Sequence, residues 1–268
     1  MSAADEVDRQ SGADANAPLR GAGIVITRPA LQAGQLAQKI AALGGTPLIF
    51  PTIVIVPPND RRALDDVHQR LAQFDYAVFV SANAAEFGVG DPAKWPATLP
   101  AFAPGPGTAA ALSAAGIVDV RLPTTTMDSE GLLALPEFVA SAGKRVVVFR
   151  GGGGRDLLGE LLTVRGAQVT HVDCYRRARP ETGAEGLVAA WGEGRIDAVT
   201  LTSSEGLDNL WSMLDAHGRK ALAATPAFVS HRRIAERARA LNIARIVVAE
   251  PTDAGLLASL LQYFTAES

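Results

Sequence analysis

Long apolar runs are missing from this chain of 268 residues. No stretch of about 18 consecutive apolar residues occurs, the length that a membrane-crossing helix requires. The sequence therefore predicts a protein without a membrane partner. Cysteine is almost missing: Cys174 is the single one. One cysteine cannot form an intrachain disulfide, and no Cys-x-x-Cys or His-x-x-x-His spacing offers a metal site. The expectation is a reducing, cytoplasmic setting and no bound metal. Basic excess is missing too. The formal net charge is −3, so the overall positive field that non-specific nucleic-acid binding uses is not available. No nucleic-acid partner is expected. The opening residues, "MSAADEVDRQSGADANAPLR", lack the apolar centre of a signal peptide, and 1–20 reads as a disordered tail.

The common catalytic signatures are also missing. There is no Gly-x-Ser-x-Gly elbow, and no pair of carboxylates sits at strand ends. His68 lies in a polar helical run, His171 in an alternating strand, His217 near a helix end and His231 in a loop. "RGGGGRD" (150–156) places Asp156 where a dinucleotide fingerprint needs its third glycine, and no Lys-Ser/Thr pair follows as in a P-loop. "GPGTAA" (105–110) satisfies Gly-x-Gly-x-x-Ala, but Pro106 removes a backbone N–H, and no ribose-binding acid follows about 20 residues on. Without metal, nucleophile or acid pair, a site must work by orienting its ligand, with at most one proton donor.

What the chain does have is apolar content, 48%, and a repeat. "GIVITRPALQAGQLAQKIAALGGTPLIFPTIVI" (23–55) and "RVVVFRGGGGRDLLGELLTVRGAQVTHVDCYRR" (145–177) both run strand, turn, amphipathic helix, strand. "YAVFVSANAAEF" (76–87) matches "DAVTLTSSEGLDNL" (197–210). "AFAPGPGTAAALSAAGIVDVRLP" (101–123) matches "AFVSHRRIAERARALNIARIVVAEP" (227–251), and 128–135 matches 252–260. Leu31, Leu36, Ile40 and Leu43 recur near helical spacing before Gly44-Gly45, as do Leu157, Leu158, Leu161 and Leu162 before Gly166. Continuous apolar strands alternating with helices predict parallel sheets covered on both faces. The fold class is α/β, with two similar lobes. "PLIFPTIVIVPP" (47–58) is long for one strand and contains Pro51, so it is expected to bend or leave its sheet.

In open parallel sheets, ligands bind beyond the carboxyl ends of the strands. Polar or glycine-rich turns fall there: 27–29, 81–83, 104–108, 150–155, 202–204 and 230–233. Free N–H groups at helix starts favour anions. Serine and threonine at these places also serve simply as helix caps. Arg150 and Arg155 flank four glycines. Arginine grips carboxylates well, and an exposed arginine is equally an ordinary surface charge.

The ordered stretches "VITRP", "VFVSANA", "PGPGTAAAL", "VVVFRGGGGRDLLGELLTVRGAQV", "VDCYRR" and "DAVTLTSSEGL" resemble the uroporphyrinogen-III synthase family over nearly everything beyond residue 20. The resemblance implies two flavodoxin-like lobes joined by a two-stranded linker. Lobe 1 would be 21–52 with 177–268 and lobe 2 would be 53–176, with the linker strands near 52–56 and 174–177. It implies a cofactor-free, monomeric, cytoplasmic enzyme of tetrapyrrole synthesis that removes water from hydroxymethylbilane, inverts ring D through a spiro intermediate and closes the macrocycle. That substrate is linear and carries eight carboxylates. The residues expected to hold it are Arg28, Ser81, Asn83, Thr108, Arg150, Gly152, Gly153, Arg155, Thr202, Ser203, Ser204, Ser230 and Arg232. Tyr175 matches the family's tyrosine, and its phenol can donate a proton to the departing hydroxyl. A tyrosine at a strand end ordinarily packs, so that reading stands beside the chemical one. Cys174 should face the opposite side by strand alternation and pack there. "VSHRRIA" (229–235) departs from the family's Gly-Pro-Thr-Thr-Ala-like turn, so its arginines either contact carboxylates or lie on the surface. The rival reading is a non-catalytic two-lobed binding or regulatory protein on the same scaffold.

Overall fold

The computed structural model describes residues 17–153 and 157–266. Its contacts divide the chain into two units. One takes the chain up to Val54 and from Arg179 onward; the other is Ile55–Ala178. The chain passes from the first unit to the second and back. Among the described residues no helix is long and apolar enough to cross a membrane.

The first unit contains β1 (Gly23–Ile26) and β2 (Thr46–Ile49). β3 (Val54–Val56), β4 (Tyr76–Phe79), β5 (Ala101–Phe102), β6 (Val120–Arg121), β7 (Arg145–Gly151) and β8 (Gln168–Ala178) build the second sheet. β9 (Ala198–Leu201), β10 (Ala227–Val229) and β11 (Ile246–Val248) complete the first. The first sheet runs β11-β10-β9-β1-β2, and all of its pairings are parallel. Counted by appearance within the unit this is the flavodoxin-like order 2-1-3-4-5. The second sheet runs β3-β8-β7-β4-β5-β6. Its last five strands give the same order if counting starts at β7. The second lobe is thus a circular permutation of the first. The matched sequence segments occupy matched strands, but the chain enters the second copy at its third strand.

Burial explains the strand composition. Every residue of β1 and β9 is buried. Ile24 and Ile26 pack on one face with Leu36, Ile40, Leu256 and Leu260. Val25, Val199 and Leu201 pack on the other with Leu207, Leu210 and Leu222. Side chains alternate across a strand, so a strand between two helical layers must be apolar at every position. The helix Ala30–Ala42 buries Ala33, Leu36, Ala37 and Ile40 along one stripe. Gly44 follows at φ +79, a left-handed conformation that ends the helix.

The run 47–58 is divided between the sheets, β2 in the first and β3 in the second. Thr46 N, Phe50 N and Thr52 N donate to Ala22 O, Ile26 O and Thr27 O at 2.8, 2.9 and 3.1 Å. These alternate residues point their donors at β1. Pro47 and Pro51 occupy the intervening positions, whose donors would face outward from an edge strand. Neither proline costs a ladder bond there.

Candidate functional site

In this strand order the chain leaves in opposite directions from two neighbouring strands, β1 and β9 in the first unit and β7 and β4 in the second. The crevice beyond their carboxyl ends is where such sheets place ligands.

In the second unit, Arg150 lies opposite Asp173, but Gly151 lies opposite Tyr175. Cys174 is the extra residue of a β-bulge, and the bulge breaks the alternation expected from sequence. Cys174 and Tyr175 therefore belong to the same buried cluster and both face the helix Ala82–Gly88. Cys174 Sγ lies 3.6 Å from Ala84 O, and the Tyr175 ring centroid is 6.3 Å from that of Phe87. Cys174 does pack, though not on the opposite side. Burial pushes its thiol up to about 12, which leaves it inert as a nucleophile at neutral pH.

Tyr175 is 7% exposed, and the adjacent glycine makes room for its ring. A Cβ on Gly151 would lie 2.5 Å from Tyr175 Cε2 and Cζ. Gly152 N donates to Tyr175 O at 3.0 Å. Ser81 Oγ is 3.3 Å from Tyr175 OH and caps the helix Ala82–Gly88 by accepting from Ala84 N at 3.1 Å. The phenol oxygen thus sits at a helix start, beside the switch point of this sheet. Tyr175 is thus both a packed residue and one whose hydroxyl lies at the carboxyl end of the sheet.

The other expected residues of this unit are less uniform. Gly153 adopts φ +85 in the turn after β7. Arg150 Nε donates to Asp173 Oδ1 at 3.0 Å. Asn83 is half-buried in the first turn of the helix Ala82–Gly88. Thr108 is buried in the helix Pro106–Ala114, which Gly105 begins. Arg155 lies outside the described residues.

In the first unit an open pocket of about 480 Å³ is lined by Arg28, Thr202, Ser203, Ser230, His231 and Arg233, among others. Four expected residues meet there. Arg28 forms an ion pair with Asp253. Ser203 caps the helix Ser204–Met213, accepting from Gly206 N at 2.9 Å. Ser230 Oγ is 3.4 Å from Thr202 O. Ser204 Oγ is buried without a partner among the described residues, and Ser204 does not line the pocket. Nor does Arg232: it is the first residue of the helix Arg232–Ala240 and is exposed. Arg233 is the arginine of that loop that reaches the pocket. His231 caps the helix, its Nδ1 accepting from Arg233 N at 3.3 Å.

Sequence reasoning picked out the turn 27–29 but missed the side-chain bonds that Thr27, Thr52 and Asn209 make. Thr27 Oγ1 donates to Thr200 O at 2.8 Å, Thr52 Oγ1 to Thr27 O at 3.2 Å and Asn209 Nδ2 to Thr52 O at 2.9 Å. This buried chain of bonds fixes the end of β1 against β9 and the start of the crossing. Asp253, at a helix start, and Asn209, in the middle of the helix Ser204–Met213, carried no sequence signal of their contacts, because their partners lie far away in the chain.

A family model described as uroporphyrinogen-III synthase HemD matches residues 34–258. The chain is 36% identical over 245 residues to the uroporphyrinogen-III synthase of Salmonella typhimurium, covering 89% of this chain and 99% of that one. It is 33% identical over 244 residues to that of Escherichia coli, with 89% and 99% covered. Among solved structures it resembles a uroporphyrinogen-III synthetase from Helicobacter pylori, with TM-score 0.58, 14% identity and 90% and 99% of the two chains covered. It also resembles a mutant synthase from Thermus thermophilus, with TM-score 0.51, 20% identity and 92% and 100% covered. At these identities the two structures speak for the fold, and the family match and the two bacterial relatives speak for the lineage. The family match and the two bacterial relatives establish that this chain belongs to the uroporphyrinogen-III synthase family.

Proposed function

We propose that this chain cyclises hydroxymethylbilane to uroporphyrinogen III, with loss of one water and inversion of ring D. The observation that carries the reading is the Tyr175 hydroxyl, 3.3 Å from Ser81 Oγ at the carboxyl end of the second sheet. In this reading the phenol supplies a proton as the carbon–oxygen bond of the terminal hydroxymethyl group breaks, so that the hydroxyl leaves as water. The electron-poor carbon left behind is attacked by the substituted position of ring D, giving the spiro intermediate. That intermediate rearranges and closes with ring D reversed. The departing α-proton of the ring balances the proton spent, so no cofactor is consumed.

The larger task is to hold a flexible polyanion in the fold that reverses one ring. Arg28, Arg233 and the Ser203 cap surround one pocket, and in this reading they hold substrate carboxylates by charge-assisted bonds and helix-start N–H groups. Arg150 and the glycines after β7 serve the same purpose in the second unit. The enzyme is read as a cytoplasmic monomer. Incubating the purified chain with enzymatically made hydroxymethylbilane and separating the product isomers tests the activity. Type III product supports it; type I product alone, at the uncatalysed rate, supports a binding or regulatory protein instead. Sedimentation equilibrium tests the monomer.

A further inference from the structure

Arg28 and Arg150 occupy matching places. Gly23 lies opposite Thr46 and Arg145 opposite Gln168, so each arginine is the sixth residue of its copy of the repeat. Each is also ion-paired to an aspartate. Arg150 is paired to Asp173 from the neighbouring strand, and Arg28 to Asp253 from the first turn of the helix Asp253–Ala266. The two aspartates come from unrelated elements, so the repeat alone does not account for both pairs. In the first unit the geometry is more telling. Arg28 lines the pocket, and Asp253 is not among the residues that line it. The Arg28 side chain is 16% exposed and that of Asp253 23%, and their contact uses one terminal nitrogen of the guanidinium. A guanidinium has five N–H groups. An aspartate bonded to one terminal nitrogen restricts the side chain and leaves the other N–H groups of the guanidinium able to face the pocket.

We infer that Asp253 is a positioning residue that holds Arg28 for a carboxylate of the bound polyanion. A long arginine side chain has many rotamers, and ordering it only on binding weakens the complex. Asp253 removes that cost in advance, as partners behind a binding group do elsewhere. Arg28 and Asp253 lie within one unit, so the device is local. The inference rests on the synthase reading for the identity of the ligand but not for its charge.

The test is a double-mutant cycle with Asp253→Ala, Asp253→Asn, Arg28→Ala and the double variant Arg28→Ala/Asp253→Ala. Steady-state turnover of hydroxymethylbilane is measured together with binding of the oxidised octacarboxylate uroporphyrin III, followed by fluorescence. Asp253→Ala should raise KM and the probe Kd by up to about tenfold, the cost of ordering one long side chain on binding, while kcat holds. Asp253→Asn keeps the shape and an acceptor but not the charge, so it should fall between. The double variant should match Arg28→Ala alone, because Asp253 acts through Arg28. A purely architectural role would instead give losses that add in the double variant. Additive losses, or an unchanged probe Kd in Asp253→Ala, would overturn the inference. If the parent chain makes no type III product, the synthase reading fails, and the probe-binding arm still decides the role of Asp253.

Discussion

A phenol oxygen 3.3 Å from Ser81 Oγ is held by a ring that rests against a glycine, and each partner can be changed separately. Tyr175→Phe keeps the ring and should fold, with stability altered by about 1 kcal/mol or less for one part-buried hydroxyl. Single-turnover formation of the type III isomer should slow on the order of 10²-fold if the phenol is the proton donor. An unchanged rate would return the residue to packing alone. Gly151→Ala acts from the other side. Its new Cβ would sit 2.5 Å from the ring, so ring or strand must shift, at about 1–3 kcal/mol by the usual cost of overpacking. Chemical denaturation should show that loss, and turnover should fall with it. Cys174 makes a third, independent prediction. Its thiol is raised from an ordinary 9.0 to about 12, so the folded chain keeps this proton where the unfolded chain has lost it. The stability this contributes is complete below pH 9 and is lost as pH rises from there toward about 12. The slope over that window should reach about 1.4 kcal/mol per pH unit. A Cys174→Ala variant should lack this part of the alkaline loss in urea titrations at stepped pH.

At the scale of elements, two helix starts carry most of the candidate site. Ser81 and Ser203 each accept the N–H of the third residue on, Ala84 and Gly206. Ser203→Ala should cost about 1 kcal/mol of stability by loss of a cap, and Ser203→Gly only a few tenths. A urea midpoint that does not move in Ser203→Ala would show the cap to be dispensable. The strand ends are equally deliberate. The bulge at Cys174 turns Tyr175 onto the side of the helix Ala82–Gly88. "VDCYRR" showed an alternating strand, and alternation by itself put Cys174 and Tyr175 on opposite faces. A one-residue insertion in the pairing leaves no mark on hydropathy, because both residues are apolar enough to be buried either way. The same limit applies to "VSHRRIA". Two adjacent arginines are chemically alike, and only the start of the helix at Arg232 decides that Arg233 reaches the pocket.

For the whole molecule, Ile55–Ala178 is an uninterrupted segment with five strands in the same order as the other lobe and cores on both faces of its sheet. Expressed alone it should fold and unfold in a single cooperative transition in urea. A non-cooperative profile would show that it depends on the rest of the chain. The sequence by itself determined the class of this fold. Buried parallel strands must be apolar throughout and their covering helices amphipathic, so the repeat of strand, turn and helix was legible residue by residue. It also marked the turns at the strand ends, where serines, glycines and arginines gather. Tertiary structure alone decided which strands are neighbours, that one copy is a permutation of the other, and which polar side chains meet. Arg28 finds Asp253, Thr52 finds Asn209 and Tyr175 finds Ser81 across long separations in the chain. Local patterning records the environment of a residue and not the identity of its distant partner, because burial is a property of one side chain and a hydrogen bond is a property of two.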